Sequence, residues 1–136
     1  LGQMYLNGFG VEKNIEQGLK YLEMSANQGE PYSQYNLAIL LKGLEGVAPQ
    51  TEKSAYWLKA AAQQGLAAAQ IDLAISYLQG SGVDQDGAEG FKWALVGAMN
   101  GDGRGEKLRT YCEAALTELE LQEGRARAEN YTKFGN

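Results

Sequence analysis

The sequence predicts an all-α protein, an α-solenoid built from antiparallel helix pairs. Three observations predict it. Leu1, Leu37 and Leu73 open three stretches that overlay without a gap, a period of 36 residues. Small residues keep the same register, at Gly10, Gly46 and Gly82, at Ala26, Ala62 and Ala98, and at Gly29, Gly65 and Gly101. Within each copy the apolar residues follow helical spacing rather than strict alternation. A fixed period in this range marks units that bury an apolar face only against a neighbour. The 136 residues, 44% of them hydrophobic, suffice for one continuous core. The expected organisation is a single domain, 1–136. It comprises repeat 1–36, which lacks the start of its first helix, repeats 37–72 and 73–105, and C-terminal capping helices over 106–136.

In the first copy Leu1, Tyr5 and Leu6 read as the end of a helix, Gly8-Phe9-Gly10-Val11 as its turn, and Asn14 as the cap of the next helix. That second helix carries Leu19, Tyr21, Leu22 and Ala26. In the second copy Pro31 starts a helix, since its missing N–H costs nothing at the first helical position. Leu37, Ile39, Leu40 and Leu41 form its apolar face, and Gly43 and Gly46 end it. Thr51 is expected to cap a helix over 52–64 that buries Ala55, Leu58, Ala61 and Ala62 and stops at Gly65. In the third copy Ile71, Leu73, Ala74, Tyr77 and Leu78 line the first helix. Gly80-Ser81-Gly82-Val83 forms the turn, and Phe91, Trp93, Ala94 and Ala98 line the second helix.

Beyond Gly101 the register weakens. Asp102-Gly103-Arg104-Gly105 reads as a flexible run. A helix over 106–116 is expected to bury Leu108, either Tyr111 or Cys112, and Ala115. Thr117-Glu118-Leu119-Glu120 has the form of a capping box before a last, charged helix. A charged terminal unit is what a solenoid needs over its exposed end.

Composition narrows the function. Seventeen acidic against twelve basic residues leave a net charge of −5, with no basic block, which argues against a nucleic-acid partner. No apolar run is long enough to span a bilayer. Histidine is absent and Cys112 is the lone cysteine, so no intramolecular disulfide, Ser–His or Cys–His pair is available. No cofactor or metal site is expected. Leu1 is not an initiator Met and falls inside a helical pattern, so the natural start is expected upstream. Exported, periplasmic and cytoplasmic locations all stay open.

The run Leu1-Gly2-x-x-Tyr5, Gly8-x-Gly10-Val11, Tyr21, Ala26 and Gly29 resembles the Sel-one-like repeat (SLR) family. So does Leu73-x-x-x-Tyr77, Gly80-x-Gly82-Val83, Asp86, Trp93, Ala98 and Gly101. The resemblance covers about Leu1 to Gly101. It implies a right-handed superhelix akin to tetratricopeptide repeats, and a scaffold or adaptor for protein partners, often bacterial and often exported, without shared catalytic residues. Some cysteine-rich relatives are linked to β-lactam binding or hydrolysis, but through repeated cysteine pairs that this chain lacks. A third reading is a structural segment of a longer repeat array. The chain departs from the family at Ala38 and Ala74, at Leu41, at Leu44-Glu45, and at Gly18, Ser54 and Gly90, where alanine is preferred. Those last three are expected to loosen local packing.

On the tetratricopeptide-like register the first helix of each pair lines the concave surface. Gln3, Tyr32, Tyr35, Ile39, Lys42, Ile71, Ile75 and Gln79 would then form a groove for a peptide or partner protein. Tyr35, Ile39, Ile71 and Ile75 would make its apolar floor. Part of this set belongs instead to the core if the helix phase differs by a residue. Trp57 and Trp93 recur at the repeat spacing and are assigned to packing between units. Asp84-Gln85-Asp86-Gly87 fails as a calcium loop, because the twelfth position is Leu95, and Asp86 reads as a helix cap. Gly80-Ser81-Gly82 lacks the lysine of a phosphate-binding loop. Cys112 reads as a small buried hydrophobe.

Overall fold

The computed structural model describes residues 11–43 and 49–134, with side chains described over 16–43 and 49–132. These residues form seven α-helices and no strand. They are α1 (Val11–Asn27), α2 (Pro31–Gly43), α3 (Thr51–Gln63), α4 (Ala67–Gln79), α5 (Gly87–Met99), α6 (Arg104–Ala115) and α7 (Glu118–Phe134). Helix α1 is the second helix of its unit. The pairs α2/α3, α4/α5 and α6/α7 follow, and each second helix packs on the first helix of the next unit. The architecture is the all-α repeat solenoid that the 36-residue period predicts.

The period acts first on the turns between units. Gly29, Gly65 and Gly101 adopt φ of 91°, 94° and 98°. An L side chain rarely enters that region, so glycine is required. In each turn the glycine N–H bonds back to the carbonyl three residues earlier, Ala26, Ala62 or Ala98, at 3.0–3.1 Å. The following N–H reaches the carbonyl of Ser25, Ala61 or Gly97 at 3.4, 3.3 and 3.1 Å. This is the Schellman pattern, and it fixes the exit direction of α1, α3 and α5 alike.

The core runs through successive units. Leu37 and Leu73, Trp57 and Trp93, and Ala62 with Leu58 are buried along one seam. A smaller cluster joins Phe91, Cys112 and Leu121 where α5, α6 and α7 meet. Ser54 and Gly90, expected to loosen packing, tighten it. The Ser54 hydroxyl donates to the Ala38 carbonyl at 2.6 Å. At the equivalent place in the next unit, a Cβ on Gly90 would lie 2.7 Å from Leu78 Cδ2 and 3.3 Å from the Ala74 carbonyl oxygen. Gly90 is there because the helices approach too closely for a Cβ, whereas at Ser54 there is room for a side chain that adds a hydrogen bond between helices.

Several local expectations are corrected. Asn14 stands inside α1 rather than at its cap. Thr51 is the first residue of α3, and the cap position is Gln50, whose side chain makes no capping bond. The run 102–105 is not a loose hinge. Asp102 accepts the backbone N–H of Arg104 at 2.9 Å and starts α6 two residues early. Gly105 lies so near α5 that a Cβ would come within 2.5 Å of Ala98 Cβ. Of the two residues left open on α6, Cys112 is buried and Tyr111 is exposed, while Ala115 also faces out. Asp86 caps α5 as expected, accepting Glu89 N–H at 3.1 Å. The expected turns at Gly8-Phe9-Gly10 and at Leu44 to Ala48 lie outside the described residues.

The last unit differs inside. Arg109 stands where the earlier units place Leu37 and Leu73, and Glu129 where they place Trp57 and Trp93. The helices α6 and α7 diverge from the turn at Leu116. They leave an open cleft of about 560 Å³ floored by Leu95, Ala98 and Met99.

Candidate functional site on the inner helices

Helices α2, α4 and α6 share one face, and a chain of polar contacts ties them together there. The Tyr35 hydroxyl on α2 donates to Asp72 Oδ2 on α4 at 2.7 Å. Arg104 at the start of α6 donates to Asp72 Oδ1 at 2.9 Å and to Asp102 Oδ2 at 3.0 Å. Burial, then the Asp72 carboxylate, pushes the Tyr35 hydroxyl up to about 12. The Arg104 guanidinium holds Asp102 below the usual carboxylate range. Arg104 itself is shifted upward, first by the hydrogen bonds to Asp102. These groups are mutually satisfied and charge-assisted, which suits fixing the spacing of three helices more than reacting with a substrate.

The predicted groove residues divide into three groups. Tyr32, 64% exposed, and Ile39, 43% exposed, stand open on α2, with Lys42 partly exposed below them. On α4, Ile75 is partly exposed and Gln79 is exposed. Tyr35 is half-buried and engaged with Asp72, so it braces the face rather than lying free on it. Ile71 is corrected: at 0% exposure it belongs to the core between α4 and α5. A Cβ on Gly97 would lie 2.5 Å from Ile71 Cδ1, which shows how closely α5 covers it. Gln3 lies outside the described residues.

Three residues of this face escaped the sequence reading. Tyr111 on α6 is 58% exposed. It continues the row of Ile39 and Ile75 at the same 36-residue interval, so the period alone signals it. Asp72 and Arg104 carried no signal, because nothing in the sequence pairs an aspartate on α4 with an arginine one unit later. The inner face therefore presents one large apolar side chain per unit, Ile39, Ile75 and Tyr111, set on a frame of Tyr35, Asp72 and Arg104.

Groups outside this face offer little chemistry. Cys112 is fully buried, and burial pushes its thiol up to about 11, so it is a poor source of thiolate. Among the described residues, no three of His, Cys, Asp and Glu stand together as metal ligands. None of the described helices is long and apolar enough to cross a membrane. Trp57 and Trp93 are buried between units, as their spacing predicts, while Tyr21 at the equivalent place is half-exposed.

A solenoid of 36-residue helical hairpins defines the class of protein. The Sel1 repeat profile matches residues 1–30, 31–66 and 67–102, and the chain belongs to the Sel1 repeat family. The second and third matches open at Pro31 and Ala67, the first residues of α2 and α4. Among solved structures it is similar to c5321, a protective antigen present in uropathogenic Escherichia coli strains that displays an SLR fold. That match has a TM-score of 0.86 and 30% identity, and covers 98% of this chain and 28% of that one. The chain is 35% identical over 98 residues to an uncharacterized protein of Neisseria meningitidis serogroup B, covering 71% of this chain and 20% of that protein. It is 47% identical over 45 residues to the ERAD-associated E3 ubiquitin-protein ligase component HRD3B of Arabidopsis thaliana, covering 32% of this chain and 8% of that protein. The chain thus spans a fifth or less of the length of these two curated relatives. Sel1 repeat proteins are generally protein-interaction scaffolds and are mostly non-enzymatic.

Proposed function

We propose that this chain is a non-enzymatic interaction module that captures a partner polypeptide along the inner face of α2, α4 and α6. The observation that carries the proposal is the row Ile39, Ile75 and Tyr111. Ile39 and Ile75 stay accessible on helices whose opposite faces are committed to the core, and Tyr111 stays accessible on α6, which buries Gly105 and Cys112. Apolar anchors rimmed by Tyr32, Asn36 and Gln79 suit the capture of a peptide by burial at the centre and hydrogen bonding at the edge. The missing histidine and the buried Cys112 leave no activated nucleophile to favour a hydrolase. The proposal also takes α6 and α7 as the closing unit of this stack. Arg109 and Glu129 at former core positions suit an end face in contact with water.

The test is the variant Ile39→Glu/Ile75→Glu/Tyr111→Glu in affinity capture from the source cells. The wild-type chain is expected to retain a partner that the variant loses, with the helical CD signal and thermal midpoint nearly unchanged. Exposed substitutions usually alter stability by no more than about 0.5 kcal/mol. Equal retention by both proteins would reject the inner face. Ile71 and Tyr35 are unsuitable for this test, because a charge at either breaks the core or the Asp72 contact before any partner is involved.

A further inference from the structure

The inner helices are held unevenly. Helices α2 and α4 each pack on the outer helix before and the outer helix after them, whereas α6 packs on α5 and hardly on α7. Neighbouring inner helices make little backbone contact with one another. Their direct link runs through one carboxylate. Asp72 Oδ2 accepts the Tyr35 hydroxyl from α2, and Asp72 Oδ1 accepts Arg104 Nη1 from α6. Arg104 Nη2 also reaches the Ala68 carbonyl, one turn earlier on α4, at 3.4 Å. Asp102 aims the guanidinium there, accepting Nε at 3.2 Å and Nη2 at 3.0 Å. A planar fork held in this way has a fixed direction that a point charge lacks. The Asp72 side chain is only 13% exposed, so water competes poorly for its oxygens.

This clasp is not a property of the repeat. The positions equivalent to Asp72 hold Asn36 and Leu108, those equivalent to Tyr35 hold Ile71 and Lys107, and the α4 equivalent of Arg104 is Ala68. The core pattern recurs from unit to unit, but this contact is placed on the middle inner helix, where one side chain reaches both neighbours. The core seam joins the units along the inner-to-outer contacts, which leaves the inner edge as the side where successive units can hinge apart. We infer that Asp72 is a positioning residue that closes this edge. Shared between Tyr35 and Arg104, its carboxylate sets the separation of α2, α4 and α6, and without it the inner edge opens about an intact core. Ile39, Ile75 and Tyr111 ride on the three helices it ties, so their spacing follows the clasp whatever the face captures.

The experiment measures distances between pairs of spin labels on the intact chain by pulsed electron paramagnetic resonance. One pair, at Ile39→Cys on α2 and Thr110→Cys on α6, spans the inner edge. The other, at Ile39→Cys and Tyr56→Cys on α3, lies within one helix pair. All three positions are exposed, and the fully buried Cys112 escapes labelling. Asp72→Ala and Arg104→Gln are each expected to lengthen and broaden the α2–α6 distance while leaving the α2–α3 distance as in the parent chain. An unchanged α2–α6 distance would overturn the inference. Lengthening of both distances would overturn it as well, since the core itself would then have loosened. If Asp72→Ala loses its helical CD signal, Arg104→Gln decides alone, because it alters a side chain that is half exposed. No partner enters the measurement, so a negative result here leaves capture at the inner face untouched.

Discussion

A glutamine at one repeated position does more for the stack than its polarity suggests. Gln34 and Gln70 are buried, one unit apart on α2 and α4. Each donates its amide to the last turn of the preceding helix, Gln34 to the Ala26 carbonyl and Gln70 to the Ala62 carbonyl, both at 3.0 Å. Each accepts from the end of the following helix, Gln34 from Gln64 Nε2 and Gln70 from Asn100 Nδ2, both at 2.8 Å. One buried side chain thus links three consecutive helices, with donor and acceptor both satisfied. In the last unit the position becomes Glu106, which has no amide to donate and pairs with Arg109 instead. Gln70→Ala removes both bonds, while the Ala62 carbonyl keeps the Gly65 N–H and the exposed Asn100 amide turns to water. It is expected to cost about 1–3 kcal/mol, read as a lower denaturant midpoint at unchanged slope. A Gln70→Ala midpoint equal to wild type would show that water replaces both bonds at no cost. Spacing alone exposes this pair of residues as repeated. It does not reveal that they are buried, because glutamine is usually a surface residue and only the Schellman turns bring the Ala26 and Ala62 carbonyls within reach.

At the scale of helices, the ends explain which expectations held. Pro31, Gly65, Gly80, Asp86 and the Thr117–Glu120 box act through local backbone chemistry, so they were legible residue by residue. In that box Glu120 Oε1 accepts Thr117 N–H at 3.0 Å while Thr117 Oγ1 accepts Glu120 N–H at 3.2 Å. Thr51 failed as a cap because Gln50 N–H is already tied to the Leu41 carbonyl at 2.7 Å, which pulls the chain into α3 one residue early. The flexible reading of 102–105 failed for a tertiary reason: the glycines there admit close contact with α5, and Asp102 is fixed by Arg104. The last helix depends on its cap and on one aromatic contact. Tyr131 packs edge-on to Trp93, with centroids 5.0 Å apart, and the Lys92 ammonium lies 4.3 Å from the Trp93 ring centroid. Gly124 lets α7 lie close on Ala88 and Phe91. Thr117→Ala removes the cap and is expected to cost about 1 kcal/mol. Hydrogen exchange should show the loss first in the opening turns of α7, with α2 to α4 unaffected. Equal protection of α7 in both proteins would mean that its packing on α5 suffices.

At the scale of the whole molecule, the same polar chain that frames the candidate site sets the response to alkaline pH. The period and the apolar pattern made the solenoid readable, and they placed Ile39 and Ile75 on the open face. They could not phase Ile71, which lies four residues before Ile75 yet under α5, nor foresee that Tyr35 would be held by Asp72. That hold has a thermodynamic consequence. The Tyr35 hydroxyl titrates near 10.0 when free and is pushed up to about 12 in the folded chain. The folded state therefore keeps a proton that the unfolded state releases. The stability from this contact is fully present below about pH 10 and is lost as pH climbs through about 12. Cys112, raised by burial from 9.0 to about 11, loses its contribution over a window that opens one unit lower. Tyr77 and Tyr131 are shifted upward as well, each first by burial. Lys92 runs the other way: burial lowers it from 10.5, so its neutralisation favours the folded state as pH approaches that value. One opposing lysine against four acids held neutral leaves net alkaline destabilisation. Denaturant midpoints are expected to fall as pH rises from about 9 to about 12. Tyr35→Phe is expected to begin about 1 kcal/mol less stable at neutral pH, having lost one hydrogen bond to a charged acceptor. Above about pH 10 it should lose stability less steeply than wild type, because the group that titrates at the α2–α4 contact is gone. Parallel slopes for the two proteins above that pH would show that the Tyr35–Asp72 contact does not hold the inner helices together.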